Sequence, residues 1–277
     1  MEKMEDNSLS LIDVDKILGQ KLGAKATYVP GFVRNYLKKL IHQDELNQFL
    51  VESKDKTGVP FLKACVEFLD DKVTVKGMEK LPEGGPFTFV SNHPLGALDG
   101  VAIGSIIGEH YNGKIKYLVN DLLMTLRGMA PLCIPINKTG SQSRDFPKMV
   151  EGAFASDDNV IMFPAGVCSR WNDKKEIIDI KWKKTFVNES YKNHRDVVPM
   201  HFSGKNSDKF YRLARRLNFK RLKFNPAMIL LPDEMMKNRH KEFVLTIGDP
   251  IPWETFDGSK SPSEWAQYVK DIVYSLQ

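Results

Sequence analysis

The chain has 277 residues, 42% apolar and 27% charged, with a formal net charge of +5 and a pI near 8.9. That balance excludes a disordered or low-complexity chain, and no run reaches the roughly 18 consecutive apolar residues of a membrane-spanning helix. The modest positive charge suits an anionic membrane surface or an acidic carrier protein, while no nucleic-acid motif accompanies it.

The opening residues, Met1 to Asn7, lack the basic start and apolar core of a secretion signal, so the expected location is the cytoplasm. Up to about residue 70 the pattern is helical. Val33, Tyr36, Leu37, Leu40 and Ile41 recur at helical spacing after the Pro30-Gly31 break, and Phe61, Leu62, Cys65, Phe68 and Leu69 repeat it after Gly58. From Val73 short apolar strands alternate with helices. Strands are predicted at 73–75, 87–91, 115–119, 133–136, 160–163, 197–202 and 243–247. Helices are predicted at 146–155, with Phe146, Met149, Val150 and Ala153 on one face, and at 263–276, with Trp265, Val269, Ile272, Val273 and Leu276 on one side. This alternation predicts an α/β domain over 73–277 with a parallel or mixed sheet flanked by helices, preceded by an N-terminal helical cap over 1–72. Cys65, Cys133 and Cys168 show no paired spacing, so reduced, buried thiols are expected in place of a disulfide framework or zinc site.

The stretch Val90-Ser91-Asn92-His93-Pro94-Leu95-Gly96-Ala97-Leu98-Asp99-Gly100 concentrates the chemistry. A strand runs into Asn-His-Pro, and an acid follows where a helix would begin. A carboxylate that engages one ring nitrogen fixes the tautomer and frees the other nitrogen to take a proton at neutral pH. His93 is therefore the expected base and Asp99 its orienting acid. Five residues separate them, and one helical residue turns the chain by about 100°. The spacing then works only if Pro94-Leu95-Gly96 stays non-helical, which places Asp99 in the first turn of its helix.

This stretch resembles the His-x4-Asp motif of the glycerolipid (PlsC-like) acyltransferase family, whose members esterify lysophosphatidic acid. Three more segments resemble family blocks in the family's order. They are Pro131-Leu132-Cys133-Ile134-Pro135-Ile136-Asn137-Lys138, Ile161-Met162-Phe163-Pro164-Ala165-Gly166-Val167-Cys168-Ser169-Arg170, and Val197-Val198-Pro199-Met200-His201. The resemblance spans about residues 75 to 250 and independently implies a seven-stranded sheet flanked by helices. It departs from the family at Ala165, where a Glu is usual, and at Ser169-Arg170, which fall later than the family's Thr-Arg. By resemblance, Asn92, Asn137, Lys138, Phe163, Pro164, Ala165, Gly166, Ser169 and Arg170 form the substrate-binding set. Arg170 and Lys138 are expected to grip the acceptor's anionic head, and Asn92 to steady its loop through a bond to backbone. A thiol nucleophile at Cys168 is the less favoured mechanism, since reactivity needs an electropositive, partly exposed setting.

The details look closest to a hemolysin-like bacterial subgroup related to ornithine-lipid and glycine-lipid O-acyltransferases. That implies transfer from an acyl carrier protein or acyl-CoA thioester to the hydroxyl of a monoacylated amino-acid lipid, with no bound cofactor and no metal. Lysophosphatidic acid acylation, or a non-catalytic membrane-surface protein of the same fold, are the alternatives. Between Lys205 and Lys223, Lys209, Arg212, Arg215, Arg216, Lys220 and Arg221 oppose an apolar stripe of Phe210, Leu213, Ala214 and Leu217. This is read as a landing surface for anionic lipid or an acidic carrier, at the inner face of the cell membrane. Lys181-Trp182-Lys183-Lys184 is read as extending it, with Trp182 at the membrane interface.

Overall fold

The computed structural model describes residues 11–120, 126–136, 146–216 and 226–277. Four helices come first: α1 (Val14–Leu22), α2 (Gly31–Leu40), α3 (Gln43–Glu52) and α4 (Val59–Leu69). Asp13 caps α1 by accepting from the main-chain N–H groups of Asp15 and Lys16, two donors that a helix start leaves unpaired. The remaining elements alternate. They are β1 (Lys72–Lys76), β2 (Thr88–Ser91), α5 (Ala97–His110), β3 (Ile115–Asn120), β4 (Cys133–Ile136), α6 (Phe146–Phe154) and β5 (Asn159–Met162). A two-stranded ribbon follows, β6 (Arg170–Trp171) and β7 (Ile177–Ile178), then α7 (Thr185–Lys192), β8 (Val197–Phe202), α8 (Asp208–Arg216), α9 (Leu231–Lys237), β9 (Glu242–Ile247) and α10 (Pro262–Ser275).

Seven strands make one sheet in the order β1-β9-β8-β2-β5-β3-β4, parallel throughout except where β8 meets β9. Both faces are covered, so the central strands β2, β5 and β8 are buried at every position. Along β2, Phe89 points into a core shared with α4 and α5, and Val90 into a second core shared with α6, α7 and α10. Opposite pointing of successive residues accounts for the split. In the first core α5 lies close on the sheet through a small residue: a Cβ on Gly104 would stand 1.4 Å from Tyr117 Oη. The tyrosine hydroxyl donates to the Gly100 carbonyl at 2.8 Å, tying β3 to that helix.

The predicted strands of the main sheet all form, as do the helices α2, α4, α6, α8 and α10. Two surfaces depart from the sequence pattern. In α2, Val33, Leu37 and Leu40 are half-buried, but Tyr36 is exposed together with Phe32. In α6, Met149 is exposed while Val150 and Ala153 are buried. The ribbon β6–β7 was not predicted. It carries α8 through a third cluster in which Trp171 stacks on Tyr211 at 5.4 Å. No helix of the described residues is long and apolar enough to cross a membrane.

Candidate active site

The loops at the carboxyl ends of the parallel strands β2, β5 and β8 converge, the usual place for a site in an open α/β sheet. His93 leaves the end of β2, and the chain bends through Pro94 to Gly96, whose φ of +84° is open to glycine at little cost. A Cβ on Gly96 would also press to 3.1 Å from Cys168 Sγ and 3.2 Å from Leu231 Cδ2. The extra residue of the His-x5-Asp spacing is absorbed in this bend. α5 then begins, and Asp99 is its third residue.

Asp99 is fully buried, and its two oxygens have different partners. Oδ2 accepts from the main-chain N–H of Leu95 at 2.9 Å and of Gly96 at 3.3 Å, closing the helix start from within. Oδ1 lies 3.1 Å from His93 Nδ1, whose side chain is 18% exposed. Neither of those two atoms completes an aligned hydrogen bond, so the pair is held by proximity and charge. Burial of the imidazole disfavours its charged form. The charge of Asp99 and, from farther off, that of Asp179 outweigh this, so the pKa of His93 lies above its ordinary 6.5 even against Arg170. The ring stacks on Phe163 with centroids 4.2 Å apart and planes 28° apart.

The loop after β5 supplies the other wall. Phe163 begins it, the Pro164 carbonyl accepts from Lys183 N at 3.0 Å, and the Gly166 N–H closes a turn onto the Phe163 carbonyl at 2.9 Å. Ala165 is buried in the second core and presents no polar group to the site. Ser169 donates its N–H to the His93 carbonyl at 2.8 Å. Arg170 donates to the carbonyls of Cys168 and Ser169 at 2.7 and 3.2 Å and lies 5.2 Å above the Phe210 ring. Its pKa is lowered by burial, yet no carboxylate of the described residues lies within 4.0 Å of it. A partly desolvated guanidinium that, among the described residues, is held by carbonyls and a ring retains donors for an anion.

Of the residues expected to bind substrate, Phe163, Pro164, Gly166, Ser169 and Arg170 belong to this wall. Asn92 faces elsewhere: it donates to the Phe202 carbonyl at 2.9 Å and accepts from Phe202 N at 2.7 Å, so its amide stitches β2 to β8. Asn137 and Lys138 lie outside the described residues, as do Leu217, Lys220, Arg221 and Lys223. The exposed face of α8 carries Lys209, Arg212 and Arg215. Trp182 corrects an expectation. Its side chain is buried against Phe186, and its indole N–H donates to Asp179 Oδ2 at 2.8 Å, so it is part of the interior. Burial pushes the Cys168 thiol up to about 12, which leaves no thiolate for nucleophilic attack near neutral pH.

Asp179 was missed in the sequence. The available signal was a lone acid interrupting the apolar run Ile177-Ile178-Asp179-Ile180, a charge that needs partners if the run is buried.

Residues 16–277 match the acyltransferase family. Two curated relatives, each named lyso-glycine lipid O-acyltransferase, align over nearly the whole chain. The protein of Phocaeicola vulgatus is 65% identical over 274 residues, covering 99% of this chain and 98% of its own. That of Bacteroides thetaiotaomicron is 64% identical over 273 residues, covering 99% of this chain and 100% of its own. The crystal structure of the 1-acyl-sn-glycerophosphate (LPA) acyltransferase, PlsC, from Thermotoga maritima matches with a TM-score of 0.50 over 95% of this chain and 94% of that one. At 18% identity that likeness concerns the fold. With the match running through every element from α1 to α10, the chain belongs to the acyltransferase family and is an acyltransferase enzyme.

Proposed function

We propose that this enzyme transfers a fatty acyl group from a thioester donor, acyl carrier protein or coenzyme A, to the free hydroxyl of a lyso-glycine lipid. His93 takes the hydroxyl proton as the oxygen attacks the thioester carbonyl. The tetrahedral intermediate collapses with loss of the C–S bond, and the imidazolium returns the proton to the departing sulfur. Asp99 holds the ring through Nδ1, so that Nε2 meets the acceptor, and balances the charge that develops on it. Transfer is direct, with no acyl-enzyme.

The observation that carries this reading is the His93–Asp99 pair at the end of β2, with the second Asp99 oxygen fixed by Leu95 and Gly96. Arg170 supports the acceptor assignment, because a planar guanidinium without a carboxylate partner among the described residues suits the single carboxylate of a glycine head group. The names of the two relatives point to the same acceptor. The reaction would take place at the inner face of the cell membrane, with the basic face of α8 toward anionic lipid or an acidic donor.

The test is a two-acceptor assay on purified protein, supplied with acyl carrier protein or coenzyme A thioesters. Acylation of lyso-glycine lipid well above that of lysophosphatidic acid is expected. The reverse preference would overturn the acceptor assignment, and undiminished turnover by His93→Ala would overturn the base.

A further inference from the structure

His93 is held by more than its ring. Its main-chain N–H donates to Asp179 Oδ1 at 3.3 Å, and its carbonyl accepts from Ser169 N at 2.8 Å. The same Asp179 oxygen accepts from Ser169 Oγ at 2.6 Å, and Oδ2 takes the Trp182 indole at 2.8 Å. The carboxylate is 2% exposed and has no cation in direct contact among the described residues. Three donors hold it: a hydroxyl, an indole and the peptide N–H of the residue that bears the base.

Helix α10 braces this acid from behind. Tyr274 Oη accepts from Asp179 N at 2.7 Å, and the buried ammonium of Lys270 donates to the Asp179 carbonyl at 2.6 Å. A buried lysine and a half-buried tyrosine that meet the main chain at residues 179 and 180 are costly to desolvate. Simpler apolar packing would serve α10 if stability alone were at stake.

We propose that Asp179 is a positioning residue of the acyl-transfer reaction, clamping the main chain of His93 to the β6–β7 ribbon and setting a second negative charge within reach of the imidazole. The inference rests on His93 being the base. The charged groups around that ring are then Asp99 from α5, Asp179 from the ribbon, and Arg170 opposing both, with the neutral thiol of Cys168 nearby. Around Asp179, among the described residues, stand His93, Lys270 and Tyr274. Two acids act on one base by different routes, Asp99 on the ring and Asp179 on the backbone and through space.

The experiment replaces Asp179 by Asn, which keeps the shape and removes the charge. Loss of a negative charge near His93 lowers its proton affinity. The acid limb of the kcat/KM profile should move down by roughly half a pH unit or more, and kcat should fall about tenfold while KM for the acceptor changes little. NMR titration of the His93 imidazole in labelled protein should show the same downward shift without any reference to turnover. A purely structural role predicts a uniform loss at every pH and an unmoved His93 titration, and that result would overturn the proposal. Should Asp179→Asn fail to fold, Trp182→Phe removes one donor from the carboxylate, leaves its charge less neutralised and should move the His93 titration upward; an unmoved or lowered titration would overturn the proposal. Failure of the base assignment reads differently, since His93→Ala would then stay active while the NMR shift in Asp179→Asn persisted.

Discussion

Replacing Asp99 by Asn isolates what the acid does for His93. The amide oxygen can still accept from Leu95 N and Gly96 N, so the start of α5 survives and melting should move little. What disappears is a full negative charge 3.1 Å from Nδ1. At that separation, with an effective dielectric constant of about 20, a carboxylate–imidazolium pair is worth roughly 5 kcal/mol. If about half of the proton has moved in the transition state, roughly 2.5 kcal/mol is lost from the barrier side, or about a hundredfold in kcat. The amide can present N–H to Nδ1 and favour the wrong tautomer, so this is a lower bound. The assay is acyl-ester formation at saturating donor and acceptor, with circular dichroism and thermal melting to confirm an intact fold. A folded Asp99→Asn protein with kcat within threefold of the parent would refute the dyad.

Further outcomes follow from the same geometry. Because an imidazole acts as a base only when neutral and the pKa of His93 is raised, the proposed mechanism places the acid limb of kcat/KM above pH 6.5, and a limb below pH 6 would contradict the charge arrangement. Arg170→Gln should raise KM for the acceptor by about 10–100-fold with kcat held within about threefold, read by steady-state kinetics. Gly104→Ala drives a methyl into the fully buried Tyr117 and breaks its bond to Gly100, which should cost about 3 kcal/mol and lower Tm by roughly 8 °C in calorimetry. Cys168→Ala should keep its rate within about threefold, and the native thiol should resist alkylation at pH 8 in a mass-spectrometric assay.

The sheet was legible because β2, β5 and β8 are short, mostly apolar runs buried throughout, while β1 and β9 alternate, all bounded by turn residues. The parallel order and the reversal at β8–β9 were not, since pairing partners leave no periodic trace. The ribbon β6–β7 was invisible for a plainer reason: two-residue strands are shorter than any pattern. At the candidate site, the juxtaposition of His93 and Asp99 was readable from local chain geometry, and the bend before the helix absorbed the extra residue as the Pro and Gly predicted. Trp182 was misread because its three lysine neighbours suggest a surface, whereas its burial is fixed by Asp179 and Phe186. Asn92 was read as a loop-steadying residue, but its partner is a strand 110 positions away. Asp179 escaped notice because its donors come from residues 93, 169 and 182, and its brace from α10.

The bend at Gly96 has a wider consequence. A fixed count of residues between histidine and acid is a poor ruler for this chemistry, because what matters is where the helix carrying the acid begins. A chain can gain a link before that point and leave the imidazole and the carboxylate side by side, so a search that insists on four intervening letters would pass this enzyme by.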